Sequence, residues 1–138
     1  MINILIPMAG AGSRFSNAGY ENPKPFIDVN GLPMICRVIN NLNTKEAHFI
    51  LVMQKKHYLK ERVLVNNIKE KYNLSFVLID VLTEGTACTA LFARHLINNE
   101  ESLIIANSDQ LVDFKIEQFI SDSKARQLDG SILIFKDK

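Results

Sequence analysis

An α/β fold, built on a mostly parallel sheet of about five strands with helices on both faces, is predicted by three features of this sequence. Apolar runs of strand length alternate with segments of helical periodicity, which is the pattern of βαβ units. The run Leu103 to Ala106 is short and continuously apolar, as a central parallel strand covered on both faces requires. No linker, repeat or low-complexity segment divides the chain, so residues 1–138 read as one domain.

The first strand is predicted over Ile2 to Pro7, and a small-residue loop, Met8 to Gly12, follows it. After a polar, proline-containing stretch, an Asn30-Gly31 turn leads to Pro33, which suits the first position of a helix running to about Leu42. A second strand spans His48 to Met53. From Lys56 to Tyr72, Leu59, Val63 and Ile68 recur among Lys, Glu and Asn with the spacing of one amphipathic helix. Phe76 to Val81 is the next strand. Thr86 to Ile97 carries few charges, which predicts a helix largely buried against the sheet and ended by Asn98-Asn99. Beyond the strand Leu103 to Ala106, a helix from Ile116 to about Arg126 leads through Asp129-Gly130 to a last strand, Ser131 to Phe135. The order of elements is Rossmann-like.

With 16 Lys+Arg against 15 Asp+Glu, the net charge of +1 gives no bulk attraction for a polyanion, so no nucleic-acid partner is expected. The apolar runs fall far short of the roughly 18 residues that a membrane span needs. Asn3 and Pro7 also interrupt the apolar start where a signal peptide wants a basic region, so the chain reads as cytoplasmic, with no membrane partner. Cys36 and Cys88 stand alone, without CxxC or Cys/His clustering, and are expected to be small core residues in a reducing compartment. His48, His57 and His95 show no spacing for a metal or a triad.

The chemistry concentrates after the first strand. Met8-Ala9-Gly10-Ala11-Gly12-Ser13-Arg14-Phe15 offers two glycines where backbone N–H groups can approach an anion. A dinucleotide fingerprint needs a third glycine where Phe15 stands, and a P-loop needs Gly-Lys-Ser/Thr after a four-residue gap; both are missing. The remaining reading pairs the glycines with two cations, Arg14 and Lys24, that neutralise a polyphosphate. Asp109 follows an apolar strand and is expected at the carboxyl edge of the sheet, where open α/β folds bind ligands.

The stretch Ile6 to Phe15, with Pro23-Lys24-Pro25 and Gly31-Leu32-Pro33-Met34, resembles the signature of the sugar-phosphate nucleotidyltransferases, in particular the branch encoded with bacterial capsule-polysaccharide genes. The resemblance implies a GT-A-like nucleotide-binding domain. It implies that Ala9, Gly10, Ala11, Gly12 and Ser13 wrap the nucleotide, and that Arg14 and Lys24 hold its phosphates. Thr83-Glu84-Gly85-Thr86-Ala87 is similar to the family's base-side segment, which gives Gly85 and Thr86 to the nucleobase. Many members carry a base-reading glutamine five residues before this glycine. Here that position is Asp80, which leaves the base open. Asn107-Ser108-Asp109-Gln110 resembles the family's metal motif and implies Mg2+ at Asp109, with Asp113 as the nearest competitor.

The implied reaction carries a nucleotidyl group from a nucleoside triphosphate to a phosphorylated acceptor, a sugar 1-phosphate, in capsule or surface-polysaccharide biosynthesis. A GT-A glycosyltransferase is the rival enzyme, but Asn107-Ser108-Asp109 is one carboxylate short of its Asp-x-Asp. A non-catalytic nucleotide-binding module is the third class. The resemblance covers the whole chain but about the first half of a family member, so the chain reads as the N-terminal portion of a longer enzyme, expected to bind nucleotide and transfer little. An uncovered last strand also invites a homo-oligomer.

Overall fold

The computed structural model describes residues 1–134 and 136. Four parallel strands form the central sheet: β1 (Ile2–Pro7), β4 (Ala47–Gln54), β5 (Leu74–Ile79) and β6 (Ser102–Ile105), in the spatial order β5-β4-β1-β6. Between β1 and β4 a two-stranded antiparallel ribbon, β2 (Asp28–Val29) and β3 (Leu32–Pro33), turns at Asn30-Gly31. Both turn residues hold positive φ, 52° and 86°, as a tight hairpin needs. The helices are α1 (Ser13–Asn17), α2 (Met34–Leu42), α3 (Lys55–Lys60), α4 (Arg62–Lys71), α5 (Thr86–Leu91), α6 (Arg94–Ile97) and α7 (Ile116–Ala125).

Strand alternation sorts the core into two layers. Ile4 and Ile6 of β1, with Phe49, Leu51 and Met53 of β4, pack under Ile35 and Ile39 of α2, Val65 and Ile68 of α4, and Ile116 of α7. Leu5, Ile50, Val52, Val77 and Ile79 point the other way, against Ala90 of α5 and Ala93. Helices therefore cover both faces, as the alternation of runs predicts. Among the buried polar residues of the second face is Asn3, whose Oδ1 meets His48 Nδ1 at 3.2 Å while His48 Nε2 meets Ser75 Oγ at 2.9 Å. His48 is thus structural.

Several expectations are corrected. Among the described residues the sheet has four strands rather than about five: Ser131 to Ile134 form no strand, and Phe135 lies outside the described residues. Leu103 to Ala106 belongs to an edge strand, not a central one, and Ile105 is 56% exposed. Its apolar character reflects a face uncovered by any described residue. The segment Lys56 to Tyr72 is two helices, broken where Glu61 leaves helical geometry at φ −103°, ψ 29°. The break turns Val65 and Ile68 inward, so Val63, expected on the buried side, is 77% exposed. Thr86 to Ile97 likewise splits into α5 and α6, and its outer face is open, with Leu91 66% exposed. Cys88 is exposed on that helix, whereas Cys36 is buried as expected. The third strand lies two residues earlier than predicted, and Pro33 precedes rather than starts α2.

Candidate functional site

One cavity of about 410 Å3 opens at the carboxyl ends of the strands. It is the crevice where open α/β sheets take ligands. The predicted residues Ala9 to Arg14, Lys24, Gly85, Thr86 and Asp109 all line it, so the fold gathers four separate segments into one site.

The glycine loop is built as an extension of the core. Met8 N–H still donates to Val52 O at 2.8 Å, and Met8 and Ala9 are buried, so the chain leaves the sheet only at Gly10. Gly12 then turns it into α1 with φ 61°, in the left-handed region, and its carbonyl accepts from Phe15 and Ser16 at 3.0 and 3.2 Å. A Cβ on Gly12 would stand 3.4 Å from Lys24 Cβ. Glycine here serves both the turn and the approach of the lysine.

Lys24 opens a 3-10 turn, Lys24–Phe26, whose Pro25 and Phe26 are buried. The two anchors fix its backbone, and its ammonium lies 5.4 Å from the centre of the Phe15 ring. Its partner is Asp109. Lys24 Nζ donates to Asp109 Oδ2 at 2.5 Å, with the two side chains 23% and 41% exposed. This charge-assisted contact joins the first loop to the end of β6, 85 residues apart. Arg14, exposed at the cavity rim, makes no ion pair among the described residues.

Across the cavity, Thr83 Oγ1 and Thr89 Oγ1 lie 2.5 Å apart, and Thr89 also donates to Gly85 O at 3.1 Å. These bonds hold the Thr83 to Thr86 segment against buried Thr89. No heavy atom lies within 4 Å of where a Gly85 Cβ would stand. Asp80 lies outside the cavity wall.

For a metal ion, no group of three or more His, Cys, Asp or Glu residues comes together among the described residues. Asp109 is the acidic residue of the cavity wall, and Asp113 is not part of it. A single carboxylate suits magnesium, which keeps several waters and takes most remaining ligands from substrate phosphates. The two groups with displaced pKa values lie elsewhere. Burial raises the Cys36 thiol, and burial followed by Lys56 and Lys60 lowers His57.

Three contributors escape sequence inspection. Gln54 ends β4 and donates to Ala9 O at 2.7 Å and Gly10 O at 3.3 Å. Thr89 secures the base-side segment. Asn41 of α2 donates to Val112 O at 2.9 Å and accepts from Val112 N–H at 3.0 Å, gripping the chain three residues past Asp109. For Gln54 a signal existed, since a polar residue terminates an apolar strand next to the glycine loop. For Asn41 none did, because its partner is backbone 71 residues away.

Known proteins resemble this chain over most of its length. A 2-aminoethylphosphonate cytidylyltransferase from Lancefieldella rimae is 41% identical over 114 residues, covering 73% of this chain and 46% of that protein. Mannose-1-phosphate guanyltransferase beta-B from Xenopus laevis is 28% identical over 138 residues, covering 96% of this chain and 37% of the other. The chain thus spans less than half the length of these curated relatives. A solved UDP-glucose pyrophosphorylase complexed with UDP-glucose superimposes with a TM-score of 0.70 at 25% identity, over 92% of this chain and 55% of that one. The family model described as Nucleotidyl transferase matches residues 4–138, and this chain belongs to that family.

Proposed function

We propose that the protein transfers a nucleotidyl group from a nucleoside triphosphate to a phosphorylated small-molecule acceptor, a sugar 1-phosphate, releasing pyrophosphate. The observation that carries this reading is the gathering of the glycine loop, Arg14, Lys24, Gly85 and Asp109 around one cavity. Two cations and a row of backbone amides suit a polyphosphate, and one carboxylate suits its magnesium ion. Family membership supports nucleotidyl transfer over the glycosyltransferase alternative.

In this reading an acceptor oxygen attacks the α-phosphorus in line, and the bond to the β-phosphate breaks. The acceptor is already anionic at neutral pH, so no general base is needed. The work of the protein is to position the reactants and offset charge on the departing pyrophosphate. Arg14 and the amides of Gly10 to Ser13 hold the β and γ oxygens, Lys24 lies nearer the α-phosphate, and Gly85 and Thr86 flank the base. Asp109 would hold magnesium, whose charge, when bound, stabilises the phosphate oxygens. Lys24 and Asp109 pair with each other at 2.5 Å, so ligand binding separates them, the lysine turning to phosphate and the carboxylate to the metal. A cytoplasmic setting supplies the triphosphate, and likeness to the capsule-associated branch supports a place in surface-polysaccharide biosynthesis.

A second acceptor class has a specific observation behind it. The relative at 41% identity is named for 2-aminoethylphosphonate and a cytidylyl group, so CTP with a small phosphonate is a direct alternative within the same chemistry. The test is pyrophosphate release with magnesium, a panel of triphosphates, and sugar 1-phosphates beside aminoethylphosphonate. Release with one such pair supports the proposal and identifies the acceptor. Release of a nucleoside diphosphate from a nucleotide sugar overturns it.

A further inference from the structure

We infer that Gln54 is the positioning residue of the glycine loop, the group that turns the loop's amides toward the ligand. Its side chain is buried, 6% exposed, at the carboxyl end of β4, and it reaches across to the carbonyls of Ala9 and Gly10, at 2.7 and 3.3 Å. A trans peptide is planar, with its N–H opposed to its C=O. Drawing the Ala9 carbonyl toward the sheet therefore sends the Gly10 N–H the other way, and drawing in the Gly10 carbonyl does the same for the Ala11 N–H. Both residues line the cavity, and neither N–H donates to another backbone group among the described residues. Two donors are thus left facing the cavity without a protein backbone partner, a poor state for folding and a good one for binding an anion.

The arrangement also explains why an amide stands at this position. An aliphatic side chain could fill the space but would leave two carbonyls unpaired beside the core, and a carboxylate would repel them. Gly10 has no neighbour within 4 Å of a would-be Cβ, so sterics alone do not select the loop conformation. The hydrogen bonds from Gln54 do. The ligand class, a polyphosphate anion, rests on the function proposed above; the hold on the loop does not.

Two measurements on the 138-residue chain separate these claims. NMR relaxation order parameters of the backbone amides without ligand read the loop directly, and calorimetry with magnesium and a nucleoside triphosphate reads binding. Gln54→Met keeps an unbranched side chain of similar size without donors, and Gln54→Asn keeps the amide but shortens its reach. Both variants are expected to lower the order parameters at residues 10–13 from the rigid range, about 0.85, to about 0.6 or below, with β1 and β4 unchanged. Both should also weaken triphosphate binding by about tenfold. Should Gln54→Met prove unable to fold, Gln54→Asn alone carries the comparison. Wild-type order and affinity in the variants, or a loss of order spread evenly over the whole sheet, would overturn the inference, since a merely structural residue gives the latter. Absence of triphosphate binding in wild type, with loop order still controlled by Gln54, would overturn the functional reading and leave the positioning role standing.

Discussion

β4 and β6 flank β1 on opposite sides, and as sequence they read alike, each an uninterrupted apolar run. In the fold they differ sharply. Seven of the eight residues of β4 are buried, whereas none of the four in β6 is. β4 lies between β1 and β5 with helices over both faces, while β6 is at the edge of the sheet among the described residues and packs mainly through Ile104. Place in the sheet, not composition, sets the burial. The two walls of the site inherit this contrast: the glycine loop grows from the best-packed part of the molecule, and Asp109 hangs from its most open strand. Lys24 bridges the two through its ion pair with Asp109, and Asn41 ties the far side of the Asp109 loop back to α2.

The strongest way to test the contrast is to cut the same kind of side chain on each side. Leu51→Ala on β4 removes a fully buried side chain and is expected to cost about 2 to 5 kcal/mol, the range for large-to-small core changes. Ile105→Ala on β6 should cost roughly 0.5 kcal/mol or less, as for exposed positions. Urea unfolding of both variants checks the pair, and equal losses would break the comparison. For the chemistry, Arg14→Ala and Lys24→Ala are each expected to slow nucleotidyl transfer by about a hundredfold or more, the usual cost of losing one charge-stabilising donor. Pyrophosphate-release kinetics measure it, and wild-type rates in both variants would contradict the phosphate-clamp roles. A smaller effect belongs to Gly12→Ala. Its φ of 61° lies where a Cβ costs about 1 to 2 kcal/mol, and the new methyl would stand 3.4 Å from Lys24 Cβ, so thermal stability and nucleotide affinity should fall together.

What could be read from the sequence divides along the same line. The glycine loop, Lys24 and Asp109 were legible because their residue types announce their chemistry, and the fold places all of them in one cavity. Burial was less legible. The apolar run of β6 and the weakly charged stretch of α5 and α6 pointed to the interior, yet Ile105 and Leu91 face outward, because hydrophobicity records what a surface is suited to meet and not which described residue meets it. The break at Glu61 was hidden too, since helical periodicity survives a single non-helical residue. Gln54, Thr89 and Asn41 share one property: each acts by bonding backbone, Gln54 and Asn41 across 45 and 71 residues and Thr89 within its own turn, and of the three only Gln54 leaves a mark in the residue pattern, as the polar end of an apolar run.

In the proposed function Asp109 holds a metal and Lys24 a triphosphate side by side in one cavity, each released from the other by the ligand. Calorimetric titration of nucleoside triphosphates into wild type and Asp109→Asn, with magnesium and with chelator, tests it most directly. Asp109 is exposed at the end of an edge strand, so the variant should fold as wild type does. The expected result is magnesium-enhanced binding in wild type and loss of that enhancement in Asp109→Asn. In chelator the variant should bind the triphosphate more tightly than wild type, because Lys24 no longer has a carboxylate to neutralise it. Equal magnesium dependence in the two proteins, or no triphosphate binding by wild type under either condition, would contradict the claim.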